Sequence, residues 1–266
     1  MPRAQTSLND DNSIGGPQPF YLRSRLRMAT LEPADSFKPA LLVVDMQEDF
    51  CPPEGSLAVA GGREIAPLIN TLLSLPFSLK IATRDFHPWD HISFKTSHAP
   101  PNNKPFESSV SISNPLETSQ SHEIPIWPVH CVQGTKGANI IPEIDMAKVD
   151  TIVEKGKDRR LEMFSGFADV FGNNSSQAAN LDLADRLNSA GITHVFIVGI
   201  AGDFCVKCTA LDAKKEGFQV YVLEEATRSV DAGEKGWGAA KEEMEKAGIK
   251  MTSADGHEVE RVKKLP

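Results

Sequence analysis

Cysteine is scarce in this sequence, with four in 266 residues (Cys51, Cys131, Cys205 and Cys208). That is too few for a disulfide framework at this length. An apolar run long enough to cross a bilayer is missing, and so is the apolar core of a secretory signal. These absences make a reducing cell interior the expected home, the cytoplasm first and a nucleus or organelle as alternatives, with free thiols the default. Long basic blocks are lacking too, and the net charge is −8, which argues against nucleic acid or an anionic membrane as a partner. Internal repeats are absent. What the chain does have is 40% hydrophobic residues, enough for one α/β domain with a full core.

Residues 1–38 are polar, spotted with Gly and Pro, and aperiodic, so they read as a flexible N-terminal extension to a single domain spanning 39–266. Within them "FYLRSRLRM" is basic and faintly amphipathic, as in a targeting sequence, but Asp10, Asp11, Glu32 and Asp35 are residues a mitochondrial transit peptide avoids. Met28 marks the first 27 residues as an optional extension, and the terminal "KKLP" is not a peroxisomal signal.

From Pro39 onward the pattern is orderly. Strands are expected at 40–45, 78–85, 150–155, 194–199 and 218–225, with a short edge strand at "IKMTS". Helices are expected at 63–75, 177–191, from about Phe204 to Gly217, and near 235–247. The Ser/Pro/Asn-rich stretch 95–124 reads as a long loop or insertion. Unbroken apolar strands alternating with helices give a mostly parallel sheet covered on both faces, and such sheets bind ligands beyond the carboxyl ends of their strands. At those ends stand Asp45, Asp85, Lys155 and, shortly after the fourth strand, Cys205. Charges often gather where strands meet solvent, but that does not explain an acid, a base and a thiol converging.

A cysteine nucleophile needs a proton acceptor and stabilisation of the charge that develops on its substrate. No histidine lies close after Cys205. Asp45, at a half-buried strand end, is the candidate base, and Lys155 a fixed cation beside thiolate and oxyanion. The turn into the helix, Ala201 to Cys205, offers backbone N–H groups as oxyanion donors, and a thiol at a helix start is expected to ionise more readily. The chemistry that fits is acyl transfer to water from an amide or ester.

A second constellation joins "TRDFHPWDHISF" to "WPVHC". Asp85 and His87 are two apart, so in extended backbone they face one way and can grip one ion. His130 is a distant third ligand and His91 a weaker fourth. Such a set suits one divalent metal ion, zinc first, with iron or manganese as alternatives. "CVKC" is a C-x-x-C without a second pair, so Cys208 reads as a core-facing bystander.

Taken in order, "LLVVDMQEDFCPPEGSL", "TRDFHPWDHISF", "WPVHCVQGTKGA", "EKG" and "GIAGDFCV" resemble the nicotinamidases among the isochorismatase-like cysteine hydrolases, over roughly residues 40–230. The resemblance implies a three-layer α/β/α fold with a six-stranded sheet, and hydrolysis of nicotinamide to nicotinate and ammonia in NAD salvage. It places an Asp-Lys-Cys triad on Asp45, Lys155 and Cys205, and the metal on Asp85, His87 and His130. Walls for the pyridine ring fall on Phe50, Trp127 and Phe164, and a cis peptide before the oxyanion-turn alanine falls at Ile200–Ala201. Pyrazinamide-like analogues are candidate substrates, and a homo-oligomer is a candidate assembly. Gly202 stands where many relatives carry a larger residue, which implies a looser turn. The competing readings are another amidase of the superfamily, on a different carboxamide or a carbamoyl substrate, and a metal-binding or redox protein using Cys205 and Cys208.

Overall fold

The computed structural model describes residues 37–174 and 177–266; the expectations for residues 1–36 lie outside them. The elements in chain order are β1 (Pro39–Val44), α1 (Ala66–Leu73), β2 (Leu79–Asp85), β3 (Ser109–Ser113), β4 (Ser121–Pro125), β5 (Thr151–Lys155) and α2 (Leu183–Ser189). Then follow β6 (His194–Ile200), α3 (Lys207–Lys215), β7 (Gln219–Arg228), α4 (Ala239–Lys246), β8 (Lys250–Thr252) and α5 (His257–Lys263). Six strands form one sheet in the order β5-β2-β1-β6-β7-β8, and every pairing is parallel. The mostly parallel sheet expected from the sequence is therefore wholly parallel.

Alternation along the central strands sorts the core into two layers. Leu41 and Val43 of β1 pack with Ile69, Leu72 and Leu73 of α1 and Val259 and Val262 of α5. Ala40, Leu42 and Val44 face the other way, onto Leu183 and Leu187 of α2, Ala210 and Ala213 of α3, and Met244 of α4. Burial on both faces is why these strands are continuous apolar runs. Among the described residues no helix is long and apolar enough to cross a membrane.

Several expected elements change extent. The helix expected at 177–191 is only α2, because Asp182 in extended backbone caps it, accepting from Asp185 N at 2.9 Å. The cysteine helix opens with a π-helical turn, Gly202–Val206, before α3. Within the stretch read as a loop, 95–124, lies an antiparallel hairpin of β3 and β4, its Ile112 and Ile124 buried against Leu161. The terminal helix α5 was not expected at all.

Candidate active site

The carboxyl ends of β1, β2 and β5 and the turn after β6 deliver polar side chains to the same place. Asp45 follows β1 with φ 47°, a left-handed conformation uncommon outside glycine. Its carboxylate is fixed by Thr83, whose Oγ1 donates to Oδ1 at 2.6 Å. Asp85 ends β2, and its backbone is clamped by the side chain of Gln47: Nε2 donates to Asp85 O at 2.8 Å and Oε1 accepts from Asp85 N at 2.7 Å. Lys155 ends β5 in register with Asp85. Its ammonium, wholly buried, donates to Asp85 Oδ1, to Met163 O at 3.2 Å and to Cys205 Sγ at 3.5 Å, and lies 2.9 Å from Asp45 Oδ2. Asp45, Asp85 and Cys205 present ligand atoms within 4.8 Å of one another. The three residues expected as a triad are thus brought together, with Asp85 joined to them.

Burial and these charges set the proton affinities. Desolvation outweighs Lys155 at Asp45 and raises its pKa. At Asp85 burial is overridden by Lys155 and by the hydrogen bond with His87, which hold the carboxyl below its usual range. Desolvation likewise opposes the charge on Lys155, but Asp45 and Asp85 keep it firmly protonated. Cys205 departs from expectation: burial pushes its thiol well above the ordinary value, and Asp45 and Asp85 add to the rise against Lys155. It lies inside the π-helical turn, beside two carboxylates, rather than at an open helix start. The resting thiol keeps its proton, and a carboxylate made more basic by burial stands next to it.

His87 and His130 form the second group. Backbone pairing joins their loops, with His87 N donating to Cys131 O at 3.0 Å and Gln133 N to His87 O at 2.8 Å. Each ring has one nitrogen tied to a carbonyl at 2.8 Å, His87 Nδ1 to Gly156 O and His130 Nδ1 to Pro128 O. An Nδ1–H donor leaves Nε2 with its lone pair. His87 Nε2 is buried without a hydrogen-bond partner, 3.6 Å from Asp85 Oδ2. Gly156 (φ 67°) must be glycine, since a Cβ there would lie 2.4 Å from His87 Cε1. Asp85, His87 and His130 offer one ligand atom each within 4.8 Å, and burial with the nearby His87 lowers His130 to about 4, so its ring is neutral at neutral pH. Two imidazole lone pairs and a carboxylate fit a divalent metal. His91 is excluded from the ligand set: its ring lies tilted against that of His87 with centroids 4.1 Å apart, and its two nitrogens are engaged by Ser93 Oγ and Leu161 O, both at 2.8 Å.

Both groups open onto one cavity. Phe50, Trp127 and Phe164 line it as expected, together with Leu57, Val59 and Phe204, which the sequence did not reveal. Phe204 joins the walls, its ring centroid 5.4 Å from Trp127 and 5.8 Å from Phe164. Ala201 and Cys205 form part of the floor, and the Ile200–Ala201 peptide is cis. The turn is not loosened at Gly202, because the Trp237 ring and Ser229 Oγ occupy the space a side chain would take, within 2.8 Å of a Cβ there. Cys208 lies outside this cavity and is half-buried on α3 rather than core-facing. Glu162, also on the wall, was not singled out in the sequence, where it follows the charged stretch "EKGKDRR". Burial raises its pKa.

A covered parallel sheet whose strand ends gather a thiol, an ammonium and two carboxylates beside a histidine pair is the arrangement of a candidate hydrolase site on a three-layer α/β/α fold. The chain belongs to the isochorismatase family: residues 39–256 match the Isochorismatase domain. It is 38% identical over 192 residues to the nicotinamidase of Acinetobacter baylyi, covering 72% of this chain and 82% of that protein. Among solved structures it resembles PnC1 from L. infantum in complex with nicotinate, with TM-score 0.67 and 34% identity over 83% of this chain and 94% of that one. It also resembles the pyrazinamidase of Pyrococcus horikoshii in complex with zinc, with TM-score 0.62 and 34% identity over 81% of this chain and 99% of that one.

Proposed function

We propose that this chain hydrolyses nicotinamide to nicotinate and ammonia through a thioester on Cys205, returning the pyridine ring to NAD synthesis. The observation that carries the reading is the joining of the two groups through Asp85, which pairs with Lys155 on one side and faces His87 Nε2 on the other. A substrate whose ring is anchored at the histidines has its carboxamide directed toward Cys205.

Asp45 takes the proton of the Cys205 thiol, and the sulfur forms a bond to the carboxamide carbon. Lys155, 3.5 Å from the sulfur, stabilises the thiolate as it forms. The amide oxygen gains the negative charge and accepts from the backbone N–H groups of Ala201 and Cys205; one such donor is worth about 10²–10³-fold in rate. Asp45 then returns its proton to the amide nitrogen, the C–N bond breaks, and ammonia leaves. A water gives a proton to Asp45 and its oxygen to the thioester carbon, the C–S bond breaks, and the sulfur regains a proton. Phe50, Trp127 and Phe164 hold the ring and keep bulk water away from the intermediate. When bound by Asp85, His87 and His130, a divalent metal, which we assign as zinc, supplies a Lewis-acid anchor for the ring nitrogen.

The position of the ring nitrogen provides the test. Pyrazinamide keeps a nitrogen meta to the carboxamide, whereas benzamide has none. Ammonia release from nicotinamide and pyrazinamide, with benzamide slower by about 10²-fold or more, is expected. Equal rates on benzamide overturn the anchor, and hydrolysis of neither pyridine nor pyrazine amide overturns the reading in favour of another carboxamide or carbamoyl substrate.

A further inference from the structure

Four large hydrophobic side chains among the described residues stand exposed, and two of them, Phe106 and Val230, line one groove at the mouth of the cavity. The groove shares Trp127, Phe204 and Val230 with the cavity, whereas Phe106 lies outside the cavity itself. Phe106 comes from the 95–124 insertion, within a turn in which Ser108 N donates to Lys104 O at 2.9 Å. Its own N–H donates to Ile126 O at 3.0 Å, which fixes it beside the residue that precedes Trp127. Its φ of 66° is one that a bulky side chain rarely adopts and that glycine or asparagine accepts readily. With 63% of its surface exposed, it gains little from burial. Neither the turn nor the core therefore calls for a phenyl ring at this position. What the ring meets is Trp127: it stands edge-on to the indole, with centroids 5.6 Å apart and planes at 78°. Phe204 meets the same indole edge-on at 5.4 Å. Backbone bonds hold the chain at Trp127, its N–H donating to Ser93 O at 2.8 Å and its carbonyl accepting from Lys95 N at 2.9 Å. Those bonds leave the side-chain torsions of the indole to be settled by the rings packed against it.

We propose that Phe106 is a positioning residue for the substrate ring, acting through Trp127: the insertion sets its phenyl ring against the indole and holds that wall in the plane the ring packs on. The inference rests on the reading of Trp127 as a wall for the nicotinamide ring. A wall that touches the ring away from the reacting carbon holds substrate and transition state alike, so loosening it is read in KM rather than kcat. An edge-on aromatic pair is typically worth about 2–10-fold in an equilibrium.

The test is the steady-state rate of ammonia release from nicotinamide by the metal-replete full chain, with circular dichroism as the check on folding. Wild type, Phe106→Gly, Phe106→Asn, Phe106→Tyr and Trp127→Ala are compared. Phe106→Gly and Phe106→Asn, both suited to the left-handed backbone, are expected to raise KM by about 2–10-fold, with kcat changed less. Phe106→Tyr keeps the ring edge and is expected to keep the wild-type KM; a KM raised there as well overturns the ring contact as the cause. A fall in kcat at unchanged KM in the two variants that lack the ring marks a purely structural role and overturns the inference. Unchanged KM and kcat in those two, alongside a lower kcat/KM in Trp127→Ala, overturns the role of Phe106 alone. Wild-type kcat/KM in Trp127→Ala overturns the wall, and no ammonia from wild type overturns nicotinamide hydrolysis, each taking this inference with it. If Phe106→Gly does not fold, Phe106→Asn decides by the same comparison.

Discussion

Lys155 and His87 are both wholly buried at the same end of the sheet, but their surroundings differ. Every direction around the Lys155 ammonium meets an acceptor: Asp45, Asp85, Met163 O and the Cys205 sulfur. Around His87 one nitrogen is fixed by Gly156 O, and the other points at Asp85 with no hydrogen-bond partner. In the first region the ammonium is fully engaged by groups of the chain itself. The second leaves a buried ring nitrogen beside a carboxylate, the arrangement that the proposed cation would complete. Asp85 belongs to both, so in the proposed reaction the group that anchors the substrate ring and the group that cleaves its amide share one carboxylate.

Removing the hub has the largest expected effect. Lys155→Met leaves Asp45 and Asp85 buried without their cation, so a loss of about 3–5 kcal/mol in denaturant unfolding is expected, with hydrolysis abolished. A variant as stable and as active as wild type breaks the contrast at its compensated side. Chelation addresses the other side. Stripping metal held at about 100 times its dissociation constant is expected to cost about 2.7 kcal/mol, read as a lower melting temperature, together with activity that zinc restores. An unchanged melting temperature and activity contradict the cation-completed reading.

Smaller changes sharpen the picture. Thr83→Val removes the 2.6 Å hydrogen bond to Asp45 and is expected to cost about 1–2 kcal/mol and to slow hydrolysis, whereas an effect on zinc affinity alone contradicts this assignment. At the opposite end of the sheet His194, edge-on to Phe37 at 4.7 Å, is lowered from 6.5 to about 4 by burial, then by Arg261 and Lys250. Between these values the unfolded chain binds more protons than the folded one, so stability falls as pH drops from 6.5 toward 4 and is level above. His194→Gln is expected to flatten that part of the stability profile, and an undiminished slope refutes the assignment.

The strand-end residues were legible because their strands are apolar runs that stop at a charge: Asp45 after "ALLVV", Asp85 after "KIATR", Lys155 after "TIVE". Cys205 was legible from the glycine-flanked turn before it. The proton affinity of Cys205 was not, since it depends on which carboxylates the fold brings beside the sulfur. Gln47 and Thr83 act by hydrogen bonds across 38 positions of sequence, which no local pattern records. The β3–β4 hairpin was hidden because each strand buries a single side chain, Ile112 and Ile124, among serines and other polar residues. Glu162 was obscured by its charged neighbours, although Arg159 and Arg160 turn away to pair with Asp90 and Asp158.

The central claim is that Cys205 attacks the carboxamide with Asp45 as its base. Its most direct test is ammonia release from nicotinamide by the metal-replete protein, with Cys205→Ala measured beside it under the same metal loading. The account predicts release by wild type and a loss on the order of 10⁴-fold or more in the folded, metal-binding variant. Release by Cys205→Ala at the wild-type rate contradicts it.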